Sequence, residues 1–240
     1  MGLKDSEAYR FLKFTEISLR NLGREEFYVE PVSAFKEYPS APRIKLAIEE
    51  FPPTLNFFEI LARRRSRREY RKKPITLKEI SLLCFAAQGI TGRIDGYFLR
   101  TAPSAGALYP VETYIAINFS EEIPPGIYHL EVRSFSLELL KEGYFGDILK
   151  DLALGQSFLA TASAVFIWSA VLGRTLSRYR SRGLRYIFMD VAHICQNLLL
   201  ACEALGLKAC PVGAFFDQEF NEFLELDEGE SIIYLTATGK

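Results

Sequence analysis

The chain has 240 residues, 49% of them hydrophobic, with 29 Lys and Arg set against 30 Asp and Glu. One sizeable core is within its reach, and a near-neutral balance excludes a general polyanion binder, whose whole domain would be basic. Four cysteines (Cys84, Cys195, Cys202, Cys210) and two histidines (His129, His193) are scattered with no C-x-x-C pair. That spacing excludes a zinc site and a disulfide framework, and implies reduced thiols in a cytoplasm.

Residues 1–56 read as an N-terminal extension. "MGLKDSEAYRFLKF" has no apolar signal region. A helical pattern covers Ser6–Leu22, and Pro39, Pro42, Pro52 and Pro53 then break regular structure. Such a stretch is expected to lie over another surface rather than fold by itself. From residue 57 to 240 the patterns strengthen into one domain. Asn56 opens a helix over "NFFEILARRRS". Thr76 with Glu79 three residues on makes a capping box for "TLKEISLLCFAAQGI", which Gly89 stops.

"VETYIAINF" alternates Val111, Thr113, Ile115, Ile117 and Phe119 on one face, a strand. "GIYHLEV" and "FSLELLK" form a hairpin, and "SAVFIWSAV" is a central strand. "RYIFMDVAHICQNLLLACEALG" is the longest helix, apolar nearly all round and ending at Gly206. On it, His193 and Cys195 do not share a face, and both read as packing residues. "KACPVGAFF" and "ESIIYLTATG" close the chain as strand, loop and strand. Helices and strands mix without strict alternation, so the fold class is α+β: a mixed or antiparallel sheet with packed helices. The apolar stretches are too short to span a bilayer.

No nucleophile elbow, dinucleotide fingerprint or P-loop is present, which shifts weight to a bound cofactor as the carrier of chemistry. Three segments suit a ligand. The first is "RRRSRREYRKK", with eight Arg or Lys between Arg63 and Lys73, carrying +7 and leaving −8 for the rest. It reads as a solvated helix end, a phosphate site or a nucleic-acid contact, and its isolation favours one local anion over a polyanion. The second is "RTAPSAGALYPVE", whose small residues permit close backbone approach, and the third is the small-residue bend "ACPVGAFFD". Either of these is also compatible with an ordinary tight loop.

In this order the segments resemble the FMN-dependent nitroreductase superfamily, and within it the SagB-type dehydrogenase branch. The resemblance runs from "FKEYPSAPRIKL" to Lys240, through "RRRSRREY", "RTAPSAGALYPVETY", "GQSFLATASAVFIWSAV", "CPVGAF" and "IIYLTATG". It implies an intertwined homodimer with FMN in each interface pocket and no metal. Arg64, Arg65, Ser66 and Arg68 match the phosphate and ribityl contacts. Pro103, Ser104 and Ala105 match the loop near the isoalloxazine ring, supplied by the other subunit. Pro211, Val212, Gly213 and Ala214 match the bend whose backbone N–H meets flavin N5.

Two departures stand out. Many relatives bring a C-terminal Arg or Lys to the phosphate, a role that falls here to Lys240 or is compensated by Arg63 and Arg67. Azoline-oxidising relatives carry a Lys–Tyr pair where this chain has Arg185–Tyr186. Arg keeps its proton, so Tyr186 is left as the candidate proton donor. Tyr109, Gln156, Phe158 and Phe215 are candidates for the pocket wall. The resemblance implies a cytoplasmic flavoenzyme. It takes hydride, for example from NAD(P)H, to an organic acceptor, or oxidises a peptide-derived substrate. Neither nucleic acid nor membrane is expected as a partner. A protein that binds, sequesters or senses FMN without turnover is the alternative.

Overall fold

The computed structural model describes residues 3–17 and 27–240. Helix α1 (Glu7–Phe14) starts where the Ser6 hydroxyl accepts from the Tyr9 N–H, and Thr15 ends it by donating to Phe11 O at 2.7 Å. The rest of the helical pattern expected up to Leu22 lies outside the described residues beyond Ile17. The proline-broken extension does contain one regular piece, strand β1 (Arg43–Lys45), which survives because Pro39 and Pro42 precede it.

Helices α2 (Phe57–Arg63) and α3 (Leu77–Gln88) start as expected from their caps. The Thr76 hydroxyl accepts from the Glu79 N–H at 3.1 Å, and the Glu79 carboxylate accepts from the Thr76 N–H at 2.8 Å. A small hairpin follows, β2 (Ile90–Ile94) and β3 (Tyr97–Arg100), turning at Asp95–Gly96 with both residues at positive φ. Strands β4 (Val111–Ile117), β5 (Gly126–Glu131) and β6 (Ser136–Glu142), helix α4 (Gly146–Leu152) and strand β7 (Ala164–Val171) come next. Helices α5 (Leu172–Tyr179) and α6 (Gly183–Ala204), strand β8 (Lys208–Val212), helix α7 (Asp217–Leu224) and strand β9 (Glu230–Gly239) complete the chain.

The sheet has seven strands in the order β1-β6-β5-β4-β7-β9-β8, with every neighbouring pair antiparallel. Strands β4 and β7 lie in its interior and are buried on both faces, which explains why β7 reads as a largely apolar run. Val111, Ile115, Ile117, Phe166 and Trp168 point to α3 and α6. Tyr114, Ala116, Val165 and Ile167 point to the layer that holds α4 and α7. The result is an α+β sandwich of helix, sheet and helix layers.

On the α4 and α7 side the remaining face is closed by residues 33–45 of the extension. There Lys36 Nζ meets Glu230 at 2.6 Å, Tyr38 N–H donates to Glu138 at 3.1 Å and Arg43 meets Glu138 at 2.6 Å. The run from α5 through α6 is long and apolar enough to cross a membrane by composition. Half of its most apolar window is nevertheless buried inside the protein, against α3 and the sheet. All four cysteines are buried and free. Cys195 packs in the core as expected, whereas His193 is exposed. The two lie too far apart around the helix for one buried stripe to take both.

Candidate active site

Helix α2 ends because Arg64 leaves helical geometry, with φ −52° and ψ 125°. From there the chain runs extended beside β8. Ser66 forms a parallel bridge with Ala209, the Arg67 N–H donates to Ala209 O at 2.9 Å, and the buried Tyr70 hydroxyl donates to Ala237 O at 3.0 Å. Alternation along an extended chain then divides the arginines between two sides. Arg63 and Arg67 turn to the buried carboxylate of Glu203 on α6, at 3.4 Å and 3.0 Å. Arg65 donates back to Ala62 O and Arg64 O, at 3.1 Å and 2.7 Å.

Arg64, Ser66 and Arg68 alternate with those residues. Arg64 is half-buried beside Cys195. Burial pushes that thiol up to about 11, against hydrogen bonds to Thr236 and Tyr234 and the nearby Arg64 charge. Ser66 is exposed, and the Arg68 guanidinium lies 5.9 Å from the centroid of Phe158. Among the described residues, none of these three side chains has a carboxylate or hydrogen-bond partner. They form a set of donors on the segment that runs beside β8 at Ala209.

Strand β8 leads into the bend Pro211–Ala214. Val212 is buried as an anchor, while Gly213 and Ala214 are exposed, leaving their backbone open. A Cβ on Gly213 would meet only Tyr234, at 3.7 Å. Gln156 donates to Ala214 O and Ala153 O, both at 3.0 Å, which fixes the bend two residues away from Phe158. The basic segment, the bend, Gln156 and Phe158 therefore share one corner of the sheet. Phe215 is half-buried and packs edge-on against Phe220 at 5.7 Å, a core contact.

Pro103, Ser104 and Ala105 are docked elsewhere, on α6. The Ser104 hydroxyl donates to Asp190 Oδ2 at 2.6 Å, and the Ala105 N–H approaches Asp190 Oδ1 at 3.4 Å. Gly106, Ala107 and Tyr109 all have positive φ, a costly conformation for the latter two that marks a constrained loop. The Tyr109 hydroxyl accepts from the Arg100 N–H at 3.1 Å and its ring lies under the Arg100 guanidinium, which makes it a packing residue. Lys240 pairs with Glu79 at 3.1 Å, and its carbonyl accepts from the Arg71 N–H. Tyr186 is half-buried and edge-on to Tyr179 at 4.9 Å. Arg185 beside it donates to Thr15 Oγ1 at 2.7 Å and Leu12 O at 2.5 Å.

Sequence reasoning missed a second polar centre, on the α4 and α7 side of the sheet beside Tyr38 and Tyr114. His129 is fully buried between Glu112 (Nε2 to Oε2, 3.0 Å) and Glu138 (Nδ1 to Oε2, 2.9 Å), with Arg174 on Glu112 at 2.6 Å. Burial works against a charged imidazole, but hydrogen bonds to both carboxylates outweigh it and raise the His129 pKa. Burial would raise both carboxyls, yet their hydrogen bonds and the nearby cations hold them below the ordinary carboxylate range. Charged letters inside apolar strands, as in "VETYIAI" and "IYHLEV", were the available signal.

A protein-family model described as the nitroreductase family matches residues 61–240, from the end of α2 to the last residue. The chain belongs to the nitroreductase family. A protein of Methanocaldococcus jannaschii assigned to the nitroreductases (MJ1384) is 39% identical over 170 residues, 71% of this chain and 84% of that one. The microcin B17-processing protein McbC of Escherichia coli is 27% identical over 139 residues, 55% of this chain and 51% of McbC. A nitroreductase structure from Anabaena variabilis superposes with a TM-score of 0.77 at 26% identity, covering 96% of this chain and 46% of that chain. The chain thus spans about half the length of McbC and of the Anabaena protein.

Proposed function

We propose that this nitroreductase-family oxidoreductase works with FMN, as a homodimer of the SagB-type branch. The observation that supports the reading is the donor set: Arg64, Ser66 and Arg68, alternating along one extended segment and without acceptors, beside the open bend Pro211–Ala214. Two guanidinium groups and a hydroxyl suit a phosphate monoester, which takes charge-assisted hydrogen bonds on several oxygens. FMN, when bound, supplies the hydride chemistry that the side chains lack.

Arg64 and Arg68 would hold the phosphate, with Ser66 as a third donor. Arg63, Arg65 and Arg67 shape the segment, because their guanidinium groups are spent on Glu203 and on carbonyls. Lys240, engaged by Glu79, is set aside as a phosphate ligand. Backbone N–H groups of Gly213 and Ala214 would face the ring edge, where a fixed donor stabilises developing negative charge. Pro103, Ser104 and Ala105 would approach the ring of the partner subunit. Tyr186 is the one candidate for giving a proton to a reduced acceptor. Arg185 is unsuited as a base, since a guanidinium keeps its proton and this one is committed to Thr15 and Leu12. The reading is therefore reduction of an organic acceptor at the expense of NAD(P)H, in preference to azoline oxidation.

Purified protein should be yellow and release FMN on acid treatment. An Arg64→Ala/Arg68→Ala variant with unchanged circular dichroism should bind FMN at least about tenfold more weakly, the scale of one lost charged hydrogen bond. Unchanged FMN affinity in that variant would misplace the phosphate site, and colourless protein that cannot be reconstituted would sink the proposal.

A further inference from the structure

A second basic segment follows β7. Between Arg174 and Tyr186, "RTLSRYRSRGLRY" carries five arginines and no acidic residue. Arg174 is answered by Glu112. Arg178, Arg182 and Arg185 are not: among the described residues none of the three sits in an ion pair, and Arg182 Nε is buried with no hydrogen-bond partner. Arg67, by contrast, meets the Glu203 carboxylate. Here the partners are neutral and come from the C-terminal end of α1. Arg182 donates to Thr15 O at 3.1 Å, and Arg185 donates to Leu12 O and to the Thr15 hydroxyl. Among the described residues Glu16 lies near enough to feel the Arg185 charge, and it is paired with Lys13 at 2.8 Å.

Helix α1 is a weak occupant. It has eight residues, none of them buried, so little besides those hydrogen bonds and the buried Thr15 retains it. The location is also specific. A Cβ on Gly106, in the loop that begins at Pro103, would lie 2.8 Å from Tyr179 Oη and 2.9 Å from Arg178 Nη1. The Tyr179 and Tyr186 rings lie between the arginines, with Arg182 5.6 Å over Tyr186. The cluster therefore adjoins the loop assigned to the flavin ring and the residue assigned to proton donation.

We propose that Arg178, Arg182 and Arg185 form an oxyanion subsite for the organic acceptor, and that α1 is the built-in occupant which an anionic acceptor displaces. A carboxylate or phosphate offers these guanidinium groups charge-assisted bonds in place of neutral carbonyls, so the exchange is favourable. The assignment rests on the oxidoreductase reading for its location, but the anion site itself is testable without turnover.

The experiment has two arms, each run on wild type, Arg182→Gln/Arg185→Gln and, should that variant not fold, Arg178→Gln. In the first, kcat/KM is measured with NADPH for 4-nitrobenzoate, 4-nitrophenyl phosphate and nitrobenzene. The ratio of anionic to neutral acceptor should fall about tenfold or more in the variant. The anion that shows the larger ratio tells carboxylate from phosphate. In the second, limited trypsin digestion is followed by mass spectrometry at Arg10 and Lys13 of α1. Benzoate or phenyl phosphate should accelerate cleavage there in wild type and leave the variant unaffected. An unchanged ratio overturns the proposal. If no acceptor is turned over the oxidoreductase reading fails instead, and the digestion arm then decides: absence of anion-promoted cleavage overturns the subsite.

Discussion

His129 joins three strands of the sheet through two buried carboxylates. Replacing it with Leu would leave Glu112 and Glu138 without the cation between them, at a cost of roughly 3–5 kcal/mol by analogy with broken buried pairs. Denaturant unfolding of His129→Leu measures this. The sign of the pH dependence follows from the raised pKa. The contribution of His129 is complete below its ordinary value near 6.5 and is lost as pH rises through the raised folded value. Glu112 and Glu138, held low, contribute above their ordinary range and lose this as pH falls through their depressed values. Thermal midpoints across this range should decline at both ends, and His129→Leu should lack the alkaline decline. Residue order offered only the charged letters inside apolar strands as a signal; the pairing itself was not legible, because a buried charge is defined by neighbours from other strands. Arg64 and Arg68 differ: their residue type and spacing were visible, and the structure adds that Arg63, Arg65 and Arg67 are already engaged.

At the scale of elements, the starts of α2 and α3 could be read directly, since caps depend on residues three apart; the end of α2 could not, for the helical pattern ran on to Ser66 and the helix stops at Arg63. Thr76→Ala should cost about 1 kcal/mol by losing the Glu79 N–H partner, seen as a lower denaturant midpoint with unchanged slope. The interior strands were equally plain, β4 from its alternation and β7 from its apolar run. Short elements were not. Helix α4 carries no side-chain cap, α7 is opened by Phe216, and β1 is three residues placed only by pairing with β6. Their stability comes from the surface they cover, so local sequence says little about them.

For the whole molecule, the apolar side chains left outside are the clearest clue to assembly. Phe57 and Phe58 on α2 are 57% and 75% exposed, and Phe188 and Met189 on α6 are 50% and 51% exposed. Both helices thus carry uncovered apolar side chains of the kind that mark an association surface. The homodimer proposed above then predicts a dimer mass in light scattering for the parent protein and a monomer mass for a Phe58→Glu/Phe188→Glu variant. Equal masses for the two would remove these helices from the interface. The sequence suggested this only through the all-round apolar character of α6; which residues stay uncovered depends on how the sheet packs beneath it.

The bridge between Ser66 and Ala209 has a consequence for solubility. Strand β8 is an outer strand, and its free backbone groups would otherwise invite a strand from another molecule. The segment laid along it is rich in arginine, so it blocks pairing by occupying the edge and by charge repulsion. Any change that loosens Arg64–Tyr70 from β8 would then do more than weaken ligand retention. It would open a strand edge to aggregation, and loss of soluble protein on storage would be its first visible sign.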